Sequence, residues 1–367
     1  MSVFFGREKA RRFEFGPIED RDRMQIREEI KPYLLLDDGA LPDDVLESGD
    51  TKLPVHDVAS GAFEIMRSMF EQKSAREVLK YSPVIGVMTN SLDMNAFAMM
   101  LHLGEKFLIS VNAGVVLRVT VSAYRLAGFQ DGELGKNVVN ASSRFSPGQD
   151  FPLPVDPERR KRALRCAMYA TVAIFCHEIA HCFRGHLGKS KMRLNEEFLG
   201  SAGEVGRAAD EVRSAMEFDA DEFSGRFLTD IFFQKQKERG DLLHDADRVA
   251  EFESIAAGVL IALCLTRKSS IYLSGVTRAF VILIGVLTSC ASAGTRDGQR
   301  PMKYLNDLLE RLQAEMTAAG VEMNDSGVTM LDEKEELKRN MDVRDEAVAS
   351  WLSNRPDWGG RGKPEQE

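Results

Sequence analysis

Two apolar stretches in this sequence invite a membrane reading, and both fall short of the roughly twenty residues needed to cross a bilayer. Residues 255–265 are far too short. Residues 279–293 also fall short and are bounded by Arg278 and Arg296. Both stretches therefore read as buried core helices, and any membrane association would have to run through 255–293. The first twelve residues lack an apolar stretch long enough for a signal peptide. There are five cysteines, an odd count without the spacing of a disulfide scaffold, which points to a reducing compartment. The expected location is cytoplasmic. The net charge is −9 and the basic clusters (Arg7–Arg12, Arg159–Arg165) are short, so no nucleic-acid partner is expected. No internal repeat is visible.

What remains is the composition of a globular protein, 44% apolar and 29% charged, long enough for a sizeable core. Residues 1–53 mix charges and prolines without sustained periodicity and read as an irregular accessory segment. A helix is expected over 54–79, then strands at 81–89, 95–101 and 106–111 forming a small antiparallel sheet, then a helix at 112–127. Residues 128–156 are rich in Gly, Asn, Ser and Pro and read as a long loop. Asp156-Pro157-Glu158 is a helix start, and that helix should run to Arg184, with Gly185 or Gly188 as its stop. Further helices are expected at 207–234, 247–266, 271–292, 301–318 and 331–352, with a disordered tail from 354. The main domain is taken as 54–318, and 319–367 as a C-terminal helix and tail.

The informative residues are His177-Glu178-Ile179-Ala180-His181. On a helix, positions four apart share a face, so both imidazoles project toward one point. Glu178 is offset by about a hundred degrees, close enough to handle a proton there. Two neutral imidazoles and an adjacent carboxylate begin a catalytic zinc site, which normally takes three protein ligands and a water. Cys176 and Cys182 are turned away from that face and read as buried, inert thiols. The chain has six histidines, so a downstream carboxylate is a natural third ligand. The helix at 207–234 offers Glu217 and Asp221 on one face, beside the small residues Ala220 and Ser224. That placement lets Glu217 reach a metal while Asp221 hydrogen-bonds the outer nitrogen of a ligating imidazole. Surrounded by Asp210, Glu211, Asp219 and Glu222, the same run also reads as an acidic solvent face.

With these motifs in order, the sequence resembles the gluzincin metallopeptidases, in particular the HtpX and CAAX-prenyl endopeptidase group, whose pattern is HExxH followed by a helix reading close to E-x-E-A-D. The counterpart here is Glu217-Phe-Asp-Ala-Asp221. A third similarity is Asn95-Ala96-Phe97-Ala98, then Gly104, an apolar strand at 107–111 and Asn112-Ala-Gly. The resemblance spans residues 80–310 and implies an α+β, predominantly helical fold: a zincin-like core with a small antiparallel sheet packed on the HExxH helix. It also implies one Zn2+ per chain on His177, His181 and Glu217, with Glu178 as catalytic acid/base and Asp221 behind a ligand. Asn95, Ala96, Phe97 and Ala98 would be the sheet edge that receives a protein or peptide substrate. His186 matches a further histidine common in such proteins and is expected to hydrogen-bond rather than ligate. The chain departs from the pattern in having about thirty-five residues between His181 and Glu217 and in its weak membrane segments. Where relatives carry a His-Pro pair it has Arg300-Pro301, and Arg300 and Tyr304 are the candidate oxyanion stabilisers. The soluble Lit-type peptidases are a second similar group. The alternatives are a zinc-stabilised regulatory protein without catalysis and a membrane-associated quality-control peptidase.

Overall fold

The computed structural model of the chain describes residues 14–15, 18–30, 55–71, 84–89, 91, 94–101, 106–130, 133–134, 138–142, 150–187, 194–195, 207–233, 246–265, 273–290, 299–321 and 333–353. These residues are predominantly helical. Nine helices are described: α1 (Asp20–Ile30), α2 (Val55–Glu71), α3 (Ala113–Gly128), α4 (Pro157–Arg184), α5 (Arg207–Phe233), α6 (Ala246–Cys264), α7 (Gly275–Cys290), α8 (Gln299–Ala318) and α9 (Lys334–Ser353). The main sheet is built on β2 (Val84–Thr89), β3 (Ala96–Leu101) and β4 (Lys106–Asn112). Short flanking strands β1 (Glu14–Phe15) and β9 (Leu194–Asn195) complete the order β1-β2-β4-β3-β9.

The sheet is mixed, not antiparallel as expected. β3 and β4 form an antiparallel pair (Ala96 opposite Val111, Leu101 opposite Lys106), while β2 lies parallel to β4 (Val84 beside Phe107). A period of two encodes which face a residue points to but not strand direction. Phe107, Ile109 and Val111 enter the large core shared with the helices, whereas Leu108 joins Ile85, Val87, Phe97, Met99 and Leu101 on the other face. Burial on both faces explains the almost unbroken apolar strands.

The second face is covered by α1, within the stretch expected to be irregular. Ile26 packs into that cluster, and Lys106 Nζ donates to Asp22 Oδ2 at 2.6 Å, both residues being buried. Glu19, largely exposed, approaches the same ammonium at 3.1 Å. The amphipathic signal of α1 is weak: among the described residues Ile26 is its contribution to the core while Met24 is 69% exposed, and the buried Lys106–Asp22 pair adds a second anchor.

The stretch expected as a loop contains two ribbons, β5 (Phe129–Gln130) with β6 (Glu133–Leu134) and β7 (Val138–Ser142) with β8 (Asp150–Pro154). Turn-forming residues obscured them, and Pro152 and Pro154 are tolerated because a two-stranded ribbon has only edges. The proposed disordered tail, 354–367, lies outside the described residues.

At the centre is α4. It begins where expected, with Asp156 accepting from the Glu158 N–H at 2.9 Å and Pro157 in the first turn. It ends at Gly185, whose φ of 78° is left-handed. It is the one described helix long and apolar enough to cross a membrane, and 94% of its apolar window is buried inside the protein. Phe175 meets Phe63 of α2 edge to face, with centroids 5.0 Å apart. Gly258 of α6 lets that helix pass close, since a Cβ there would lie 2.6 Å from the Cys166 carbonyl oxygen. The apolar stretches in α6 and α7 are buried in the same core.

Breaking one partner of a buried ion pair costs about 3–5 kcal/mol, whereas replacing both with apolar groups is close to neutral. Lys106→Met should therefore destabilise the chain by about that amount in urea unfolding. The double variant Lys106→Met/Asp22→Leu should recover most of the loss. Equal stability of Lys106→Met and the wild type would mean that α1 does not depend on this pair.

Candidate metal centre

α4 and α5 pack against each other, and Ala180 and Ala220 on them are both fully buried. This packing brings Glu217 to the two histidines. His177 Nε2 lies 3.0 Å from His181 Nε2 and 3.1 Å from Glu217 Oε2, and His181 Nε2 lies 3.5 Å from Glu217 Oε1. Tetrahedral zinc with bonds of about 2.0–2.1 Å separates its ligand atoms by about 3.3–3.4 Å. The carboxylate meets His177 through one oxygen and His181 through the other, and one ligand atom from each of the three residues lies within 4.8 Å of the others, so small side-chain shifts would bring them to that spacing. Among the described residues they form a group of metal-ligand type, and all three are buried. The reading of 217–221 as an acidic solvent face does not hold: Glu217, Asp219 and Asp221 are 5%, 3% and 2% exposed.

Each of these carboxylates has cationic or imidazole partners. Asp221 Oδ1 lies 2.9 Å from His177 Nδ1, and Arg278 of α7 donates to Asp221 through Nε (2.7 Å) and Nη2 (3.1 Å). Arg278 Nη2 is also 3.6 Å from Glu217 Oε2. Burial alone would raise the Asp221 pKa, but Arg278 and His177 outweigh it and hold the carboxyl below its usual range. Glu217 follows the same balance: burial opposes ionisation, and His181 with His177 hold it well below the ordinary value. Asp219 accepts from Arg184 Nε (2.6 Å) and Nη2 (2.9 Å), and its Oδ2 lies 3.0 Å from His186 Nε2. Burial pushes the His186 pKa down to about 4 against the pull of Asp219, which keeps the ring neutral.

The remaining expectations separate. Glu178 is 0% exposed, and its charge helps raise the pKa of the Cys182 thiol, after burial as the main cause. Cys176 and Cys182 are fully buried, as expected of inert thiols. Asn95 acts through its backbone, its carbonyl accepting from the Asn112 N–H at 3.0 Å. Ala96 and Ala98 face the helical core and Phe97 the α1 side, so only their backbone edge is left for a peptide. At Phe97 and Ala98 that edge is paired with Asn195 and Leu194 of β9. Tyr304 is not brought to the histidines. Its ring packs on Phe252 at 6.3 Å, and burial and Glu253 raise its pKa to about 12. Of Arg300, only the backbone in the first turn of α8 is described.

Arg278 was missed as a site residue, although an arginine at the head of an otherwise apolar stretch is itself a sign of a buried ion pair. Its position follows from a glycine. A Cβ at Gly225 would lie 2.3 Å from the Ile282 carbonyl oxygen, so α5 and α7 touch backbone to backbone there. Asp221 and Arg278 each lie four residues, about one turn, before that contact on their own helices, and so they meet.

Compared with known proteins, the chain matches no family model, no curated protein and no solved structure.

Gly225→Ala should push α7 from α5 and loosen the Arg278–Asp221 pair. The expected cost is about 1–3 kcal/mol of stability, with weaker zinc binding in a chelator competition. Unchanged stability and affinity would mean that the close crossing does not matter.

Proposed function

We propose that this chain is a zinc-dependent metallopeptidase with a zincin-like core, related to the gluzincins, that hydrolyses peptide bonds in a protein or peptide substrate. The observation that carries this reading is the convergence of His177, His181 and Glu217, one ligand atom from each lying within 4.8 Å of the others, with Glu178 in the turn between the histidines. Three protein ligands, not four, is the pattern that leaves a position for water. Zinc, when bound, supplies Lewis acidity toward that water and the scissile carbonyl.

The protein groups then have separate tasks. Glu178 accepts the proton of the attacking water and delivers it to the leaving amine. Asp221 orients His177, and Arg278 offsets the negative charge of Asp221 and Glu217. An extended substrate would pair with the outer edge of β3 by strand addition. Because β9 occupies that edge at Phe97 and Ala98, a peptide must displace it.

A second reading, a zinc-stabilised regulatory protein that cleaves nothing, is favoured by one observation: Glu178 and all three ligands are at most 5% exposed. The two readings differ in what Glu178→Gln does. A peptidase variant should keep its zinc and lose proteolysis by at least about a hundredfold, the scale of general-base catalysis. Full activity after Glu178→Gln, or no proteolysis by the wild type on any unfolded protein, would overturn the peptidase reading.

The substrate edge has its own check. Leu194→Pro removes a strand donor and should weaken the β9 pairing, raising kcat/KM for peptide hydrolysis. A lower or unchanged kcat/KM would place substrate elsewhere.

A further inference from the structure

A ligating imidazole has a second nitrogen, and what holds that nitrogen decides which tautomer is presented. The two histidines differ in this respect. His177 turns its Nδ1 to a carboxylate, Asp221. His181 turns its Nδ1 to another imidazole: Nδ1 of His186 lies 2.9 Å away, and the rings meet at 66° with centroids 5.0 Å apart. His186 Nε2 in turn lies 3.0 Å from Asp219 Oδ2, and Arg184 grips both oxygens of Asp219. His181, His186 and Asp219 are all at most 5% exposed, so bulk water does not substitute for these contacts.

The end of helix α4 builds this chain of contacts. Gly185 takes the left-handed conformation and the chain doubles back, so that the His186 N–H donates to the His181 carbonyl at 3.1 Å. The Gly185 N–H approaches the Cys182 carbonyl at 3.4 Å in the same turn. The side chain of a residue five positions on is thereby folded onto the ligand, which an uninterrupted helix would carry around the axis.

Proton positions follow from donor and acceptor chemistry. Two ring nitrogens facing each other at 2.9 Å form a hydrogen bond only if one carries a proton and the other does not. The far end of the chain is an ionised carboxylate, which accepts and cannot donate. A singly protonated His186 then carries its proton on Nε2 and offers Nδ1 as acceptor, so His181 carries its own on Nδ1. The lone pair of His181 Nε2 is left facing His177 Nε2 and Glu217. We infer that His186 is a positioning residue for His181, that Asp219 acts only through His186, and that the pair locks His181 in the tautomer a metal requires. The inference rests on the zinc reading of the site and adds a dedicated support for one of its ligands.

The first test reads the tautomers directly, by nitrogen-15 NMR of the full-length, histidine-labelled wild-type chain loaded with zinc at neutral pH. The expected spectrum has His181 protonated at Nδ1 and His186 protonated at Nε2 only. A proton on His186 Nδ1 overturns the inference while leaving the zinc site standing. Failure of the wild type to bind zinc at all overturns both.

The second test is a double-mutant cycle read as zinc dissociation constants by chelator competition. His186→Leu and Asp219→Leu should each weaken binding by about 10–100-fold. The double variant should be no weaker than His186→Leu alone. Losses that multiply in the double variant would show that Asp219 does not work through His186 and would overturn the inference. If a variant does not fold, the spectrum of the wild type decides.

Discussion

Two imidazoles and a carboxylate converge between α4 and α5, out of contact with water, and the surrounding protein is arranged to make that tolerable. Burying an ionised carboxylate is costly unless a cation or strong donors face it. Glu217, Asp219 and Asp221 are buried together on one helix, which would be self-defeating without compensation. Compensation arrives from two directions: Arg278 from α7 for Asp221 and Glu217, and Arg184 from the end of α4 for Asp219. A metal ion held by His177, His181 and Glu217 would complete the balance, because it places positive charge beside the buried carboxylate.

The helical layers follow from the same constraint. Gly225 and Gly258 sit where α7 and α6 must approach their neighbours backbone to backbone, and Ala180 and Ala220 are fully buried on α4 and α5. Close packing transmits position, so the geometry of Arg278 depends on a glycine with no polar role of its own. On the other side, β3 and β4 support α4 through Ala96, Ala98, Ile109 and Val111, and α1 seals the far face of the sheet.

Much of this was legible in the sequence because it depends on local spacing. The start of α4 at Asp156-Pro157, its stop at Gly185, the shared face of His177 and His181, and the pairing of Glu217 with Asp221 all follow from a period of 3.6 and from capping chemistry. What escaped depends on tertiary contact. Asp219 looked like part of a solvated acidic face, because nothing local reveals that Arg184 and His186 wait for it. Arg278 looked like the boundary of an apolar stretch. The parallel pairing of β2 with β4 and the cover that β9 gives to β3 are long-range pairings, which alternation does not encode. The ribbons at 129–154 were hidden by turn-forming residues that end strands without preventing them.

Binding of one zinc ion by His177, His181 and Glu217 can be read by zinc K-edge X-ray absorption of the purified chain, which reports ligand identity and distance together. The expected result is stoichiometric zinc with two imidazole nitrogens and carboxylate oxygen at about 2.0–2.2 Å, and loss of the oxygen contribution from that residue in Glu217→Ala. A sulfur shell at about 2.3 Å, a spectrum unchanged in Glu217→Ala, or no bound zinc would contradict it.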